Sequence, residues 1–326
     1  MRKRSFGVAA GLVAAALAFS GCAAGGDGGG GEGGDGGKPY IALVSKGFQH
    51  QFWQAVKEGA EQAAEEFDVD ITFEGPDTEA DVDQQLQQLQ TALDKGPDAI
   101  GFAALDSQAA DPYLQQAQDA GIPVIAFDSG VESDIPVTTA ATDNKAAAAE
   151  AAKQMVELVG GSGKIALVVH DQTSVTGIDR RDGFVDYIEE NAPDIEIVDI
   201  QYGGGDQLKS TDLAKAILQA NPDLKGIYGS NEGSAIGVVN AVTELGLEGQ
   251  LTVIGFDSGQ AQIDAINDGL MAGAITQNPV GIGYETVKAA VEALDGTELP
   301  KTIDTGFFWY DKTNIEDPEI QAVLYE

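Results

Sequence analysis

From Pro39 onward, short apolar runs alternate with amphipathic stretches, and this alternation leaves few folds open to the chain. "YIALVS" (Tyr40 to Ser45) predicts a buried strand. "QFWQAVKEGAEQAAEEF" follows it, with Phe52, Val56 and Ala60 along one helical face. "VDITFEG" predicts a second strand. "DVDQQLQQLQTALDKG" predicts a helix, with Val82, Leu86, Leu89 and Leu93 at helical spacing and Gly96 at its end. "DAIGFAA", "SQAADPYLQQAQDAG" and "IPVIAFD" continue as strand, helix and strand. A repeated βα unit of this kind implies a parallel sheet with helices on both faces. After "VTTAATDN" the pattern restarts with the helix "KAAAAEAAKQMVELVG" and the strand "KIALVVH". It runs on to the strand "MAGAITQ" and the helix "GIGYETVKAAVEALDG". The expected fold class is therefore α/β, with two doubly wound parallel-sheet lobes connected near Thr142. The 326 residues suit two such bodies better than one.

In doubly wound sheets, ligands bind beyond the carboxyl ends of the strands. Here those ends are rich in Asp, Asn, Gln and Ser, the side chains that pair with hydroxyl groups. Asp128, Asn231, Asp257 and Gln277 each end or directly follow an apolar run. Asp128 and Asp257 fit a ligand contact or a cap on the following helix. "GFQHQFW" adds Phe48, His50, Phe52 and Trp53 just after the first strand, in a chain with only 12 Phe, 8 Tyr and 2 Trp. Such rings bury a flat apolar face at low entropy cost. One of the three also fits the core, because Phe52 shares a helical face with Val56. His50 fits the cleft edge or an exposed loop. His170 and Asp171 point opposite ways along an extended chain, so they fit a strand-end contact or a loop better than an acid–base pair. "GGSGK" precedes a strand instead of opening a helix, so it is a loop and not a phosphate cradle. Trp309 in "TGFFWYD" fits either a core position or the cleft rim.

Charge and cysteine content narrow the function classes. Against 18 basic residues stand 53 acidic ones, a formal net charge of −35. No basic patch is available to neutralise nucleic acid phosphate or hold an anionic membrane surface. One cysteine and two histidines exclude an internal disulfide and a cysteine-based zinc site, and make a histidine-rich metal centre unexpected. No cofactor is implied.

Residues 1–21 predict a signal peptide: Arg2, Lys3 and Arg4 lead, and the apolar stretch Val8 to Phe19 is too short to span a bilayer. Ser20 and Gly21 then precede Cys22, which resembles a bacterial lipobox in which the cysteine receives a lipid. Phe19 stands where that motif usually has Leu. Cleavage before Cys22 would leave the mature chain three charges more negative. "AAGGDGGGGEGGDGG", which extends to Gly37, predicts a flexible tether spanning about 20 Å.

Taken in order, "ALVSKGFQHQFWQAVKEGA", "GIPVIAFDSG", "ATDN", "RRDGF", "ILQANPDLKGIYGSNEGSAIGVVNA", "VIGFDSG" and "GAITQNP" resemble the ribose-binding-protein-like family of periplasmic sugar-binding proteins. The resemblance covers about Pro39 to Asn314. It implies the type I periplasmic binding protein fold, two Rossmann-like lobes joined by a three-strand hinge that close on a ligand. The implied lobes are 38–142 plus 278–304, and 143–277 plus 305–326. By resemblance Phe52 and Trp53 are the stacking aromatics and His50 stands at an amide ligand's place. Asp128, Arg180, Asn231, Asp257 and Gln277 carry over as hydrogen-bonding residues. The pattern departs at Ser129 and Ile178, where the family has arginines, and near Gly205, where it has an aromatic.

The expected function is therefore that of a non-enzymatic substrate-binding lipoprotein of an ABC importer, placed on the outer face of the cell membrane. It takes a small neutral sugar or polyol by hinge closure and hands it to the permease. The chain is expected to be a monomer that touches the membrane only through lipidated Cys22. The alternative is a sensor for a sugar or furanone-type signal acting with a membrane receptor, which would use the same cleft. A sugar-responsive transcription regulator would need a DNA-binding helix-turn-helix in place of the signal and tether. An enzyme would need a nucleophile and base that the strand ends do not offer.

Overall fold

The computed structural model describes residues 37–325, so the predicted signal peptide and Cys22 lie outside the described residues, as does nearly all of the predicted tether. The first sheet is built from β1 (Tyr40–Val44), β2 (Asp70–Glu74), β3 (Ala99–Phe102), β4 (Val124–Phe127) and β5 (Thr138–Ala141), with β11 (Thr302–Asp304) returning from far along the chain. Its order is β11-β5-β4-β3-β1-β2, parallel throughout. α1 (Gln51–Glu66) and α9 (Pro279–Leu294) cover one face, and α2 (Val82–Asp94) and α3 (Asp111–Asp119) cover the other.

The second sheet contains β6 (Gly163–Val169), β7 (Ile195–Tyr202), β8 (Leu224–Gly229), β9 (Thr252–Phe256), β10 (Gly273–Gln277) and β12 (Phe307–Asp311). Its order is β12-β10-β9-β8-β6-β7. α4 (Asn144–Val159) and α5 (Val175–Asn191) line one face. α6 (Gln207–Ala220), α7 (Glu232–Leu245) and α8 (Gln260–Asn267) line the other. The expected α/β class with two doubly wound sheets therefore holds. One strand departs from it: β12 pairs antiparallel to β10, because the chain crosses from β11 through Thr305 and Gly306 and enters the second sheet from the opposite end.

Three short segments cross between the sheets: Thr142–Asp143, the Gln277–Asn278 junction, and Thr305–Gly306. α1 and α9 pack with backbones touching, and two glycines permit it. A Cβ at Gly59 would run into the Val280 carbonyl, and one at Gly283 into the Val56 carbonyl. Half of the ten described helices begin under a side-chain cap. Asp143, Ser174, Asp206, Asn231 and Asn278 each accept an N–H from the first turn that follows them. Ile315, just before α10 (Pro318–Gln321), and Ile320 within it pack into the second lobe's core. The tail then delivers Tyr325 to the first lobe's core, edge-on to Phe52 at 6.1 Å between ring centroids. Among the described residues, no helix is long and apolar enough to cross a membrane.

Candidate functional site

The carboxyl ends of the two sheets face each other, and their side chains line a small shared cavity. The first lobe contributes Lys46 and His50 after β1, Phe52 and Trp53 from the first turn of α1, Glu79 after β2 and Asp128 after β4. The second contributes His170 after β6, Thr176 and Arg180 from α5, Asn231 after β8, Asp257 after β9 and Gln277 at the end of β10. Of the sequence-predicted residues, His50, Phe52, Trp53, Asp128, Arg180, Asn231, Asp257 and Gln277 thus come together. Phe48 does not line the cavity: its ring packs edge-on against Phe73 at 5.8 Å, beside the first lobe's core. Trp309 also lies elsewhere, packed beside the second lobe's core with its indole N–H on Asp311.

The lining charges are largely paired with one another. Arg180 donates to Asn144 Oδ1 at 2.8 Å and to the Ser230 carbonyl at 3.0 Å, and lies 3.8 Å from Asp257. Its guanidinium also sits 3.7 Å above the Phe256 ring, so its plane is fixed on one side by a cation–π contact. Arg181 points away, bonded to Asp182 and Tyr202. Lys46 crosses to the second lobe, where its Nζ donates to Thr176 at 3.1 Å and Ser174 at 3.4 Å and lies 3.8 Å from Asp171. Gln277 donates to Asp257 Oδ1 at 2.7 Å, and Glu232 N–H donates to Asp257 Oδ2 at 2.9 Å.

Glu79 spans the gap between the lobes. Its Oε1 accepts the Trp53 indole N–H at 2.8 Å, and its Oε2 accepts the Asn231 amide at 3.3 Å. Burial opposes ionisation of Glu79, but nearby His50 and Lys46 outweigh it and hold the carboxyl well below the ordinary range. His50 Nε2 lies 3.6 Å from Glu79 and Nδ1 4.0 Å from Glu232. Burial alone would strip the imidazole of its proton; the surrounding carboxylates of Glu79, Glu232 and Asp257 reverse this and raise its pKa. His170 behaves oppositely. Burial, helped by Lys46 and Arg180, pushes it down to about 3 against the pull of Asp171, so it is neutral and bonded to Ser230 and Thr176. Burial pushes Asp128 up to about 6 against the pull of Lys46 and Arg180. Its carboxylate accepts no hydrogen bond among the described residues and faces the cavity.

Lys46, Glu79 and Thr176 are cavity residues beyond the predicted set, and His170, left open between a strand-end contact and a loop, stands at the strand end in the cavity wall. Glu79 follows the end of "VDITFEG", so the strand-end rule applied to β2 would have reached it. A Cβ at Gly205 would stand 2.7 Å from Glu79 Oε2 and 3.3 Å from the Asn231 amide, so Glu79 fills the room beside the glycine. Among the described residues no cluster of side chains suits a metal ion.

Comparison with known proteins agrees with this geometry. Residues 41–298 match the periplasmic binding protein domain. The D-allose-binding periplasmic protein of Escherichia coli is 29% identical over 260 residues, covering 77% of this chain and 83% of that protein. An ABC transporter solute-binding protein from Agrobacterium vitis with bound D-fucose superposes with a TM-score of 0.85 at 36% identity, over 88% of this chain and all of that one. A second Agrobacterium vitis solute-binding protein, bound with α-D-tagatopyranose, reaches the same TM-score at 31% identity, over 89% of this chain and all of that one. The Escherichia coli relative is named for binding D-allose, and the two solved relatives are ABC transporter solute-binding proteins with sugars bound, a binding function and not a catalytic one. The chain belongs to the periplasmic binding protein domain family.

Proposed function

We propose that this chain is the substrate-binding subunit of an ABC importer and takes one small neutral sugar or polyol between its lobes. The observation that carries this reading is the state of the cavity's charges. Lys46, Arg180, Glu79 and Asp257 all have protein partners, while Asp128, an acceptor, has none among the described residues. Such a site requires a ligand that brings donors without net charge, as hydroxyl groups do. Phe52 and Trp53 offer an apolar wall to the ring that carries them. The sugars bound by the matched relatives support the same class.

The ligand touches both lobes only when they are closed, so it shifts the population toward the closed form, which the permease then reads. The body acts as a monomer outside the cytoplasm, held to the membrane by lipidated Cys22 through the glycine-rich tether. Labelling with palmitate that is lost in Cys22→Ala supports the anchor; unchanged labelling removes it.

The test of the function is a thermal-shift screen of residues 38–326 against pentoses, hexoses, deoxysugars, polyols and inositols. Stabilisation by one stereochemical subset is expected, because a ligand that binds only the folded state raises its stability by mass action. No stabilisation by any of them, with protein shown to be free of carried-over ligand, would move the assignment away from sugars.

A further inference from the structure

Two helices at the lobe interface begin without caps of their own. α1 starts at Gln51 behind His50, whose side chain makes no capping bond. α8 starts at Gln260 behind Gly259, which has no side chain to offer. The first N–H groups of a helix have no partner inside it, so each of these starts needs an outside acceptor.

Both acceptors come from the opposite lobe. Glu232, the first residue of α7, sends its carboxylate across to α1. Its Oε1 accepts the Gln51 N–H at 3.2 Å, and its Oε2 accepts the Phe52 N–H at 3.3 Å. Gln51 in turn sends its side chain back, and its Oε1 accepts the Gln260 N–H at 2.8 Å. Glu232 is buried and anchored at its base by its own N–H on Asp257. Glycines make room for the exchange. A Cβ at Gly259 would stand 3.0 Å from both Gln51 Oε1 and Glu232 Cδ, and one at Gly233 would stand 2.8 Å from His50 Cε1.

We infer that Glu232 and Gln51 are positioning residues that form a reciprocal clasp, in which each lobe supplies the helix cap that the other lobe lacks. Neither side chain lines the cavity, so the clasp adds closure free energy without touching ligand. It also seats the start of α1, which carries Phe52 and Trp53, only when the second lobe arrives. Any ligand held by the closed form gains or loses apparent affinity with the clasp, by the factor through which it changes the closed population. The clasp does not depend on which ligand the site takes.

The test is hydrogen exchange on the full chain, resolved at the Gln51, Phe52 and Gln260 amides, without sugar and with saturating D-allose, D-fucose or D-tagatose. In the wild type these amides should be protected by about ten-fold or more in the closed form. Glu232→Ala should deprotect Gln260 as well as Gln51 and Phe52. Gln51→Ala should deprotect Phe52 as well as Gln260. Glu232→Gln keeps one acceptor oxygen and should restore part of the protection at all three sites. A side chain with only a local role would expose only the amides it caps, and that result overturns the clasp. Free exchange of all three amides in the wild type, with and without each sugar, also overturns it. Protection of core amides such as Ile100 and Ile227 reports folding; if Glu232→Ala unfolds the protein, Glu232→Gln and Gln51→Ala decide the matter. Coupled protection that no sugar alters would leave the clasp standing and count against the sugar reading instead.

Discussion

Asp128 and Asp257 hold matching posts on the two lobes. Each is the acid of a Phe-Asp-Ser-Gly sequence that closes a central strand, β4 or β9. Each has a positive φ, 55° and 82°, a conformation that Asp tolerates better than most residues. Each lines the shared cavity, but Asp257 is bonded to Gln277 and Glu232 while the Asp128 carboxylate accepts no hydrogen bond among the described residues.

Asp128 should make binding depend on pH. A hydroxyl donates to the ionised carboxylate, so affinity should be full well above the Asp128 pKa of about 6 and should fall as pH drops through it toward about 4. The folding contribution runs the other way. A carboxyl raised in the folded state binds protons there first, so it favours folding as pH falls through the same window. Asp128→Asn should flatten both trends and weaken binding at pH 7.5. Calorimetric titration between pH 4.5 and 7.5, using the sugar with the largest thermal shift, reads the first trend; an unchanged profile in the variant would rule Asp128 out.

Asp257→Ala should weaken binding by about 2–5 kcal/mol, the usual cost of truncating one partner of a buried charged network. It leaves the Gln277 amide and the Glu232 N–H without their acceptor and removes the carboxylate beside Arg180. Equilibrium titration alongside circular dichroism separates lost binding from lost fold. Wild-type affinity would detach Asp257 from the ligand.

Trp53→Ala should cost at least about 1 kcal/mol of binding, as loss of a buried aromatic anchor does. Trp53→Phe keeps a ring but deprives Glu79 of its indole donor. Its expected cost is about 1–3 kcal/mol of stability from a buried acceptor left short. Urea unfolding of both variants distinguishes the ring's role from that of its N–H.

Gly205→Ala should disfavour the closed form. The residue has φ 68°, where a side chain costs roughly 1–2 kcal/mol, and the added methyl would crowd Glu79. Scattering with and without ligand should show an incomplete contraction; full closure at wild-type affinity would show that Glu79 yields without penalty.

A net charge of −35 should make the protein more stable in salt, since self-repulsion among surface carboxylates is screened within about 10 Å at 0.1 M. A melting temperature that climbs between 0.05 M and 1 M sodium chloride is expected, and a flat profile would show that the acidity is locally compensated.

Much of this architecture could be read from the residues. The long periodic helices and the apolar strands declared themselves because each buries one face or both. β5 and β11 did not, since "TTAA" and "TID" have little pattern of their own and become strands only through their neighbours. In the cavity, polar residues at strand ends were legible through the topology of the fold. Phe48 was not separable from Phe52 and Trp53, because only the packing of Phe73 decides which ring turns inward. Lys46 was not among the candidates, because what buries it is Ser174 and Thr176, more than 120 residues away. A helix cap was weighed only for Asp128 and Asp257, yet Asn231 caps α7 through Oδ1 while its amide reaches Glu79.

The discontinuity of the first lobe has a consequence for how the chain is made. β1 to β5 leave the ribosome early, but α9 and β11, which complete that lobe, follow only after β6 to β10 of the second lobe have been synthesised. Until then the groove of α1 around Gly59 has no α9 to fill it, and β5 is an open sheet edge. The nascent first half is therefore an unfinished folding unit that exposes apolar surface. The second lobe has nearly all its strands in one continuous stretch and can become compact first, so the order of folding should run against the order of synthesis.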